Sequence, residues 1–136
     1  MSARPNQRLA ALALLVPDYD DALAYYTGVL GFLPVRDTDM GNGKRFVVVA
    51  PPGGGGGASL VLARAASPEQ ASRIGNQTGG RVFLFLHTDD FFHDHAALSE
   101  RGVEFLESPR EEVYGTVAVF RDIFGNLWDL IEPRAD

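Results

Sequence analysis

One pattern that occurs twice constrains this chain more than any other feature. An apolar run at residues 9–16 ends in Pro17, and Asp18 follows at a helix start. The helical stretch stops at Gly31. The same order returns with an apolar run at residues 82–87, Asp90 at a helix start and a stop at Gly102. Asp90 lies 72 positions after Asp18, and Gly102 lies 71 after Gly31. Each Asp suits the free amides of a first helical turn. Each Gly suits the positive φ that ends a helix.

Each half reads as a strand, a helix and three more strands. The first has strands at 9–16, 32–36, 44–50 and 59–63 around a helix at 20–30. The second has strands at 82–87, 103–106, 114–122 and 127–132 around a helix at 89–101. The reading is one domain over residues 1–136, with module one at 9–63, a linker at 64–80 and module two at 81–132. The linker carries Ser67, Pro68, Gly75, Asn76, Gly79 and Gly80. A unit this small cannot bury both faces of its sheet, so the two units must pack together. Strands pairing across the boundary would close one curved sheet, whose concave side is the natural ligand site.

Several classes of function drop out on composition. The chain has no cysteine, which excludes thiolate chemistry, disulfides and Cys-ligated metals. The net charge is -6, so a nucleic-acid partner is not expected. No run approaches the ~20 apolar residues of a membrane span. Arg4 and Arg8 precede an apolar run, but Pro17 and the acids Asp18, Asp20 and Asp21 stand where a signal cleavage site would be. A buried strand explains that run better, and the expected location is the cytoplasm.

The three histidines cluster at His87, His93 and His95. His93 and His95 project about 200° apart on a helix, so they do not chelate together. His95 joins the stripe Phe91, His95, Leu98 and reads as a half-buried histidine with one hydrogen-bond partner. His87 ends a strand and reads as a surface residue, with general base as the alternative. Phe46, Phe83, Phe85, Tyr114 and Trp128 are the aromatic stock, and Phe83 and Phe85 share a strand face. Trp128 is expected to pack under a helix. The run of five glycines at 53–57 lacks a following Lys-Ser/Thr and is no phosphate loop. It reads as a mobile hairpin connection. Residues 75–80 read as plain linker, with a lid as the alternative.

Two stretches resemble a known family. Residues 16–26 (VPDYDDALAYY), running into Val29-Leu30-Gly31-Phe32, look like the opening module of the vicinal-oxygen-chelate superfamily. That superfamily includes glyoxalase I, bleomycin-resistance proteins and extradiol dioxygenases. Residues 101–105 and 120–130 (FRDIFGNLWDL) resemble its second helix-to-strand junction and closing hairpin. The resemblance implies an α+β fold of two βαβββ modules forming a curved, cup-like mixed sheet, in a homodimer. The cup forms within one chain or between two. The superfamily's enzymes hold a divalent metal at four cup positions, which fall here on Ala11, Val61, Phe83 and Asp129. Three of the four carry no donor, so neither a metal nor another cofactor is expected.

The resemblance also places Asp129 and Phe83 inside the cup. Asp129 then reads as a ligand anchor or a general base, or as a carboxylate held by Arg45, Arg81 or Arg121. The leading expectation is a metal-independent protein, akin to the bleomycin-resistance branch, that sequesters an organic, cationic or aromatic ligand. Phe46, Phe83, Phe85, Tyr114 and Asp129 would bind it. The alternatives are an enzyme (lyase, isomerase or dioxygenase) with a non-standard metal or a metal-free base, and an interaction module.

Overall fold

The structure, a computed structural model, describes residues 4–53 and 56–135. Part of the glycine run at 53–57 therefore lies outside the described residues. The first module comprises β1 (Ala11–Val16), α1 (Tyr19–Gly28), β2 (Leu33–Gly41), β3 (Lys44–Ala50) and β4 (Ser59–Arg64). A short helix α2 (Pro68–Ser72) interrupts the expected linker. The second module comprises β5 (Leu84–His87), α3 (Phe91–Glu100), β6 (Glu104–Phe105), β7 (Arg110–Glu112), β8 (Gly115–Arg121) and β9 (Leu127–Pro133).

Local chemistry explains the helix bounds. Asp18 accepts the Asp21 amide at 2.9 Å, and Asp90 accepts the His93 amide at 3.2 Å. Gly31 and Gly102 take φ of 79° and 90°, where a side chain would be strained. Two strands depart from the sequence reading. β2 runs on to Gly41, because β3 pairs with it along its whole length despite Pro34. The expected strand at 103–106 shortens to β6, and β7 forms as a separate three-residue strand on β8.

The strands make two mixed sheets, ordered β1-β4-β3-β2 and β5-β9-β8-β6, with β7 also on β8. Among the described residues, no strand pairs across the module boundary. The expected pairing into one continuous sheet is replaced by a shared core. That core joins Leu14, Val47 and Leu62 of the first sheet, Tyr26 of α1, and Phe120, Trp128 and Leu130 of the second sheet. Tyr26 lies 6.1 Å from Trp128 between ring centroids, and Phe32 lies 5.8 Å from it. Burying such large rings contributes about 2–3 kcal/mol apiece. A continuous apolar core therefore joins the modules where no strand ladder does.

The helix-side faces of both sheets are consumed by this core. Strand alternation turns the other residues to the opposite, open faces. Val48, Val117 and Ile131 are buried but stand outside the shared core, as that alternation requires.

Candidate functional site

The hairpin that closes the second sheet fixes the site. Asp122 Oδ1 accepts the amides of Phe124 and Asn126, at 3.0 and 2.9 Å, which folds the turn. Its Oδ2 accepts from Tyr26 Oη at 2.5 Å, Asn126 Nδ2 at 2.9 Å and Trp128 Nε1 at 3.1 Å. This network turns Trp128 into the core, under α1 as expected. The next residue, Asp129, then faces the open side of β9. Burial, then the Asp122 charge, push the Tyr26 hydroxyl well above its ordinary pKa, so it stays a donor.

Asp129 is only 8% exposed, and its Oδ1 has no hydrogen-bond partner among the described residues. Burial raises its pKa; the Arg110 guanidinium opposes that rise and Glu107 adds to it. Register puts Asp129 between Phe85 of β5 and Val119 of β8. The next row of the same face is His87, Ile131, Val117 and Arg110. Phe85 is 63% exposed, so an aromatic ring stands beside a buried carboxylate at a surface open to solvent.

The other expected site residues fall in three places. Tyr114 is half-exposed beyond β7, and its oxygen accepts from Arg110 at 3.5 Å. Phe46 lies on the open face of the first sheet, under the Arg36 guanidinium at 5.2 Å. Phe83 precedes β5, packs against the helix-side core and borders a cavity of about 130 Å³ beneath residues 75–81. Asp129, Phe85 and Tyr114 thus share one face, while Phe46 and Phe83 lie apart from it. His87 is exposed on that face, opposite Ile131. His95 is half-buried between Phe91 and Phe105, with ring centroids 5.6 and 4.1 Å away. The hydrogen-bond partner expected for its side chain is absent among the described residues, and packing between the two rings takes its place.

Reading the sequence missed Arg110, Glu107 and Glu112. Two of the arginines considered for Asp129 are engaged elsewhere: Arg45 with Asp20 and Asp37, and Arg121 with Glu104. Arg110 is the cation that acts on Asp129, and it is held by Glu107 at 3.0 Å and Glu112 at 2.8 Å. The signal was present as acids on both sides of one Arg, followed by Tyr114-Gly115 at a hairpin turn. Without β7 it reads as a solvated charged loop.

At the positions that the resemblance assigns to the superfamily's metal, the residues present do not fit it: Ala11, Val61 and Phe83 offer no donor. One carboxylate does not make a divalent site.

Comparison with known proteins decides the family. The model of the Glyoxalase/Bleomycin resistance protein/Dioxygenase superfamily matches residues 8–130. The chain belongs to that superfamily. An uncharacterised protein of Shewanella frigidimarina (strain NCIMB 400) is 52% identical over 127 residues, covering 93% of this chain and 94% of its own. The crystal structure of UcmS2 matches with a TM-score of 0.80 at 30% identity, covering 94% of this chain and 99% of that one. TnmS3, an antibiotic binding protein from Streptomyces sp. CB03234, matches with a TM-score of 0.76 at 30% identity. That match covers 97% of this chain and 100% of TnmS3. This superfamily member thus has the two-module α+β fold expected of it, and none of its helices among the described residues is long and apolar enough to cross a membrane.

Proposed function

We propose that this protein binds an organic small molecule on the open face around Asp129 and sequesters it without turnover. The observation that carries the reading is the buried Asp129 oxygen lacking a partner beside the exposed Phe85 ring. An orphaned buried acceptor costs about 1–3 kcal/mol, which a ligand donor recovers. Phe85 and Tyr114 supply apolar contact, and Asp129 anchors a polar or cationic group. The antibiotic-binding neighbour supports antibiotics as the first ligands to test, and the Phe85 and Tyr114 rings favour aromatic ones among them.

The working form in this reading is a cytoplasmic homodimer. The open faces of the two sheets do not share a core within one chain, which supports a cup completed by a second copy. A second copy would bring Phe46 and Arg36 of its first sheet over Asp129 and Phe85. No metal or other cofactor is needed for this.

Titration calorimetry with a panel of cationic and neutral aromatic antibiotics tests the reading. The expected result is saturable binding, one ligand per chain, with the ligand recovered chemically unchanged. Phe85→Ala should weaken it about tenfold, the equivalent of one lost aromatic contact. Absence of saturable binding across the panel would overturn it.

The raised pKa of Asp129 supports one competing reading, a metal-free enzyme with this carboxylate as base. Consumption of a bound compound that stops in Asp129→Asn would favour that reading over sequestration.

A further inference from the structure

Arg110 is held more firmly than a surface arginine requires. Its Nε donates to both oxygens of Glu107, at 3.1 and 3.0 Å. Its NH1 donates to Glu112 Oε1 at 2.8 Å and to Tyr114 Oη at 3.5 Å. Glu107 is itself fixed, because its Oε2 also accepts the Val119 amide at 3.0 Å. That contact fills the break in the ladder between β6 and β7. The remaining nitrogen, NH2, has no hydrogen-bond partner among the described residues. The same is true of Asp129 Oδ1 on the same sheet face.

Register sets how these two groups stand to each other. Arg110 pairs with Val117, Val117 pairs with Ile131, and Val119 pairs with Asp129. The two residues are two strands and one row apart, about 12 Å at the backbone. A long arginine side chain spans much of that distance. Val117, on the strand between them, is apolar and fully buried, so it offers neither group a competing hydrogen-bond partner.

We propose that Arg110 NH2 and Asp129 Oδ1 act as a donor–acceptor pair that recognises a ligand edge bearing an acceptor beside a donor, as in a primary amide or lactam. The amide oxygen accepts from Arg110, and its N–H donates to Asp129. Carboxylate ligands are rejected, since Asp129, Glu107 and Glu112 outnumber the single guanidinium. A simple cation satisfies Asp129 and leaves Arg110 NH2 idle. Glu107 and Glu112 are positioning residues that aim Arg110. This inference rests on the open face being the ligand site.

Three probes with one ring system test it on the full chain: 2-naphthamide, 2-naphthoate and 2-ethylnaphthalene. Affinities come from ligand-detected NMR titrations. The amide should bind at least about tenfold more tightly than the hydrocarbon, the worth of one charge-assisted hydrogen bond. The naphthoate should bind more weakly than either. Arg110→Met and Asp129→Ala should each abolish most of the amide's advantage, read as the ratio of amide to 2-ethylnaphthalene affinity within the same variant. Arg110→Lys, which keeps the charge but loses the NH2 donor, guards against a misfolded Met variant. It should lose the amide preference and still reject naphthoate. Equal affinity for amide and hydrocarbon, or a preference for naphthoate, overturns the donor–acceptor pair while leaving open-face binding intact. Failure of all three probes to bind overturns the open-face site itself.

Discussion

Five donors converge on the carboxylate of Asp122, from Tyr26, Phe124, Trp128 and twice from Asn126. One residue thereby folds the closing turn and ties α1 of the first module to β9 of the second. Tyr26→Phe removes one donor and should cost about 1 kcal/mol in urea unfolding. Asp122→Ala leaves several buried donors unpaired and should cost at least about 3 kcal/mol in the same measurement. Asp129 behaves in the opposite sense. Its folded pKa lies above its unfolded value, so folding disfavours the ionised form. Its contribution is therefore most favourable below the unfolded pKa and is lost as pH rises through the folded pKa. Asp129→Asn should raise the melting temperature at pH 7, and the gain should shrink as pH falls toward 4. A gain that stays constant with pH would show that ionisation is not its cause. The Asp122 motif was legible in the chain, but that its carboxylate reaches α1 was not, because Tyr26 is 96 positions away.

At the level of elements, the start of β8, between β7 and β9, carries a demanding backbone. Gly115 begins β8 at φ 151°, and a Cβ there would lie 2.2 Å from the Glu132 carbonyl oxygen. Gly115→Ala must shift β9 or β8, which should cost at least about 2 kcal/mol in chemical unfolding. It should also lower ligand affinity, because β7 and Arg110 hang from the same turn. The free edge of β1 is managed differently. The Gln77 amide donates to the Leu15 carbonyl at 3.0 Å and accepts its N–H at 3.5 Å, in place of a neighbouring strand. The helices and most strands were readable from caps, glycines and alternation. β7 was not, since three residues with two adjacent acids carry no strand pattern of their own.

For the whole molecule, the arrangement of the two sheets is decisive. Both helix-side faces pack into one core, and the opposite faces carry the exposed rings of Phe46 and Phe85. A homodimer in which each copy's first sheet covers the other's second sheet should sediment at about twice the chain mass of 14.7 kDa. Phe85→Glu sets an extra charge beside Asp129 on that face and should shift the equilibrium toward monomer. An unchanged sedimentation profile would place the dimer contact elsewhere.

The sequence by itself determined the two-module plan, the helix ends and the family. Those depend on local spacing: an Asp cap, a Gly stop and alternation along each strand. It also showed that three of the four positions the resemblance assigns to a metal carry no donor, since that is a matter of residue identity. Only the tertiary structure decided that the modules join through Tyr26, Phe32 and Trp128 rather than through a strand ladder. Only the structure set Arg110, and not Arg45 or Arg121, against Asp129. Both outcomes depend on which distant side chains fill the same space, and local sequence pattern carries no record of that.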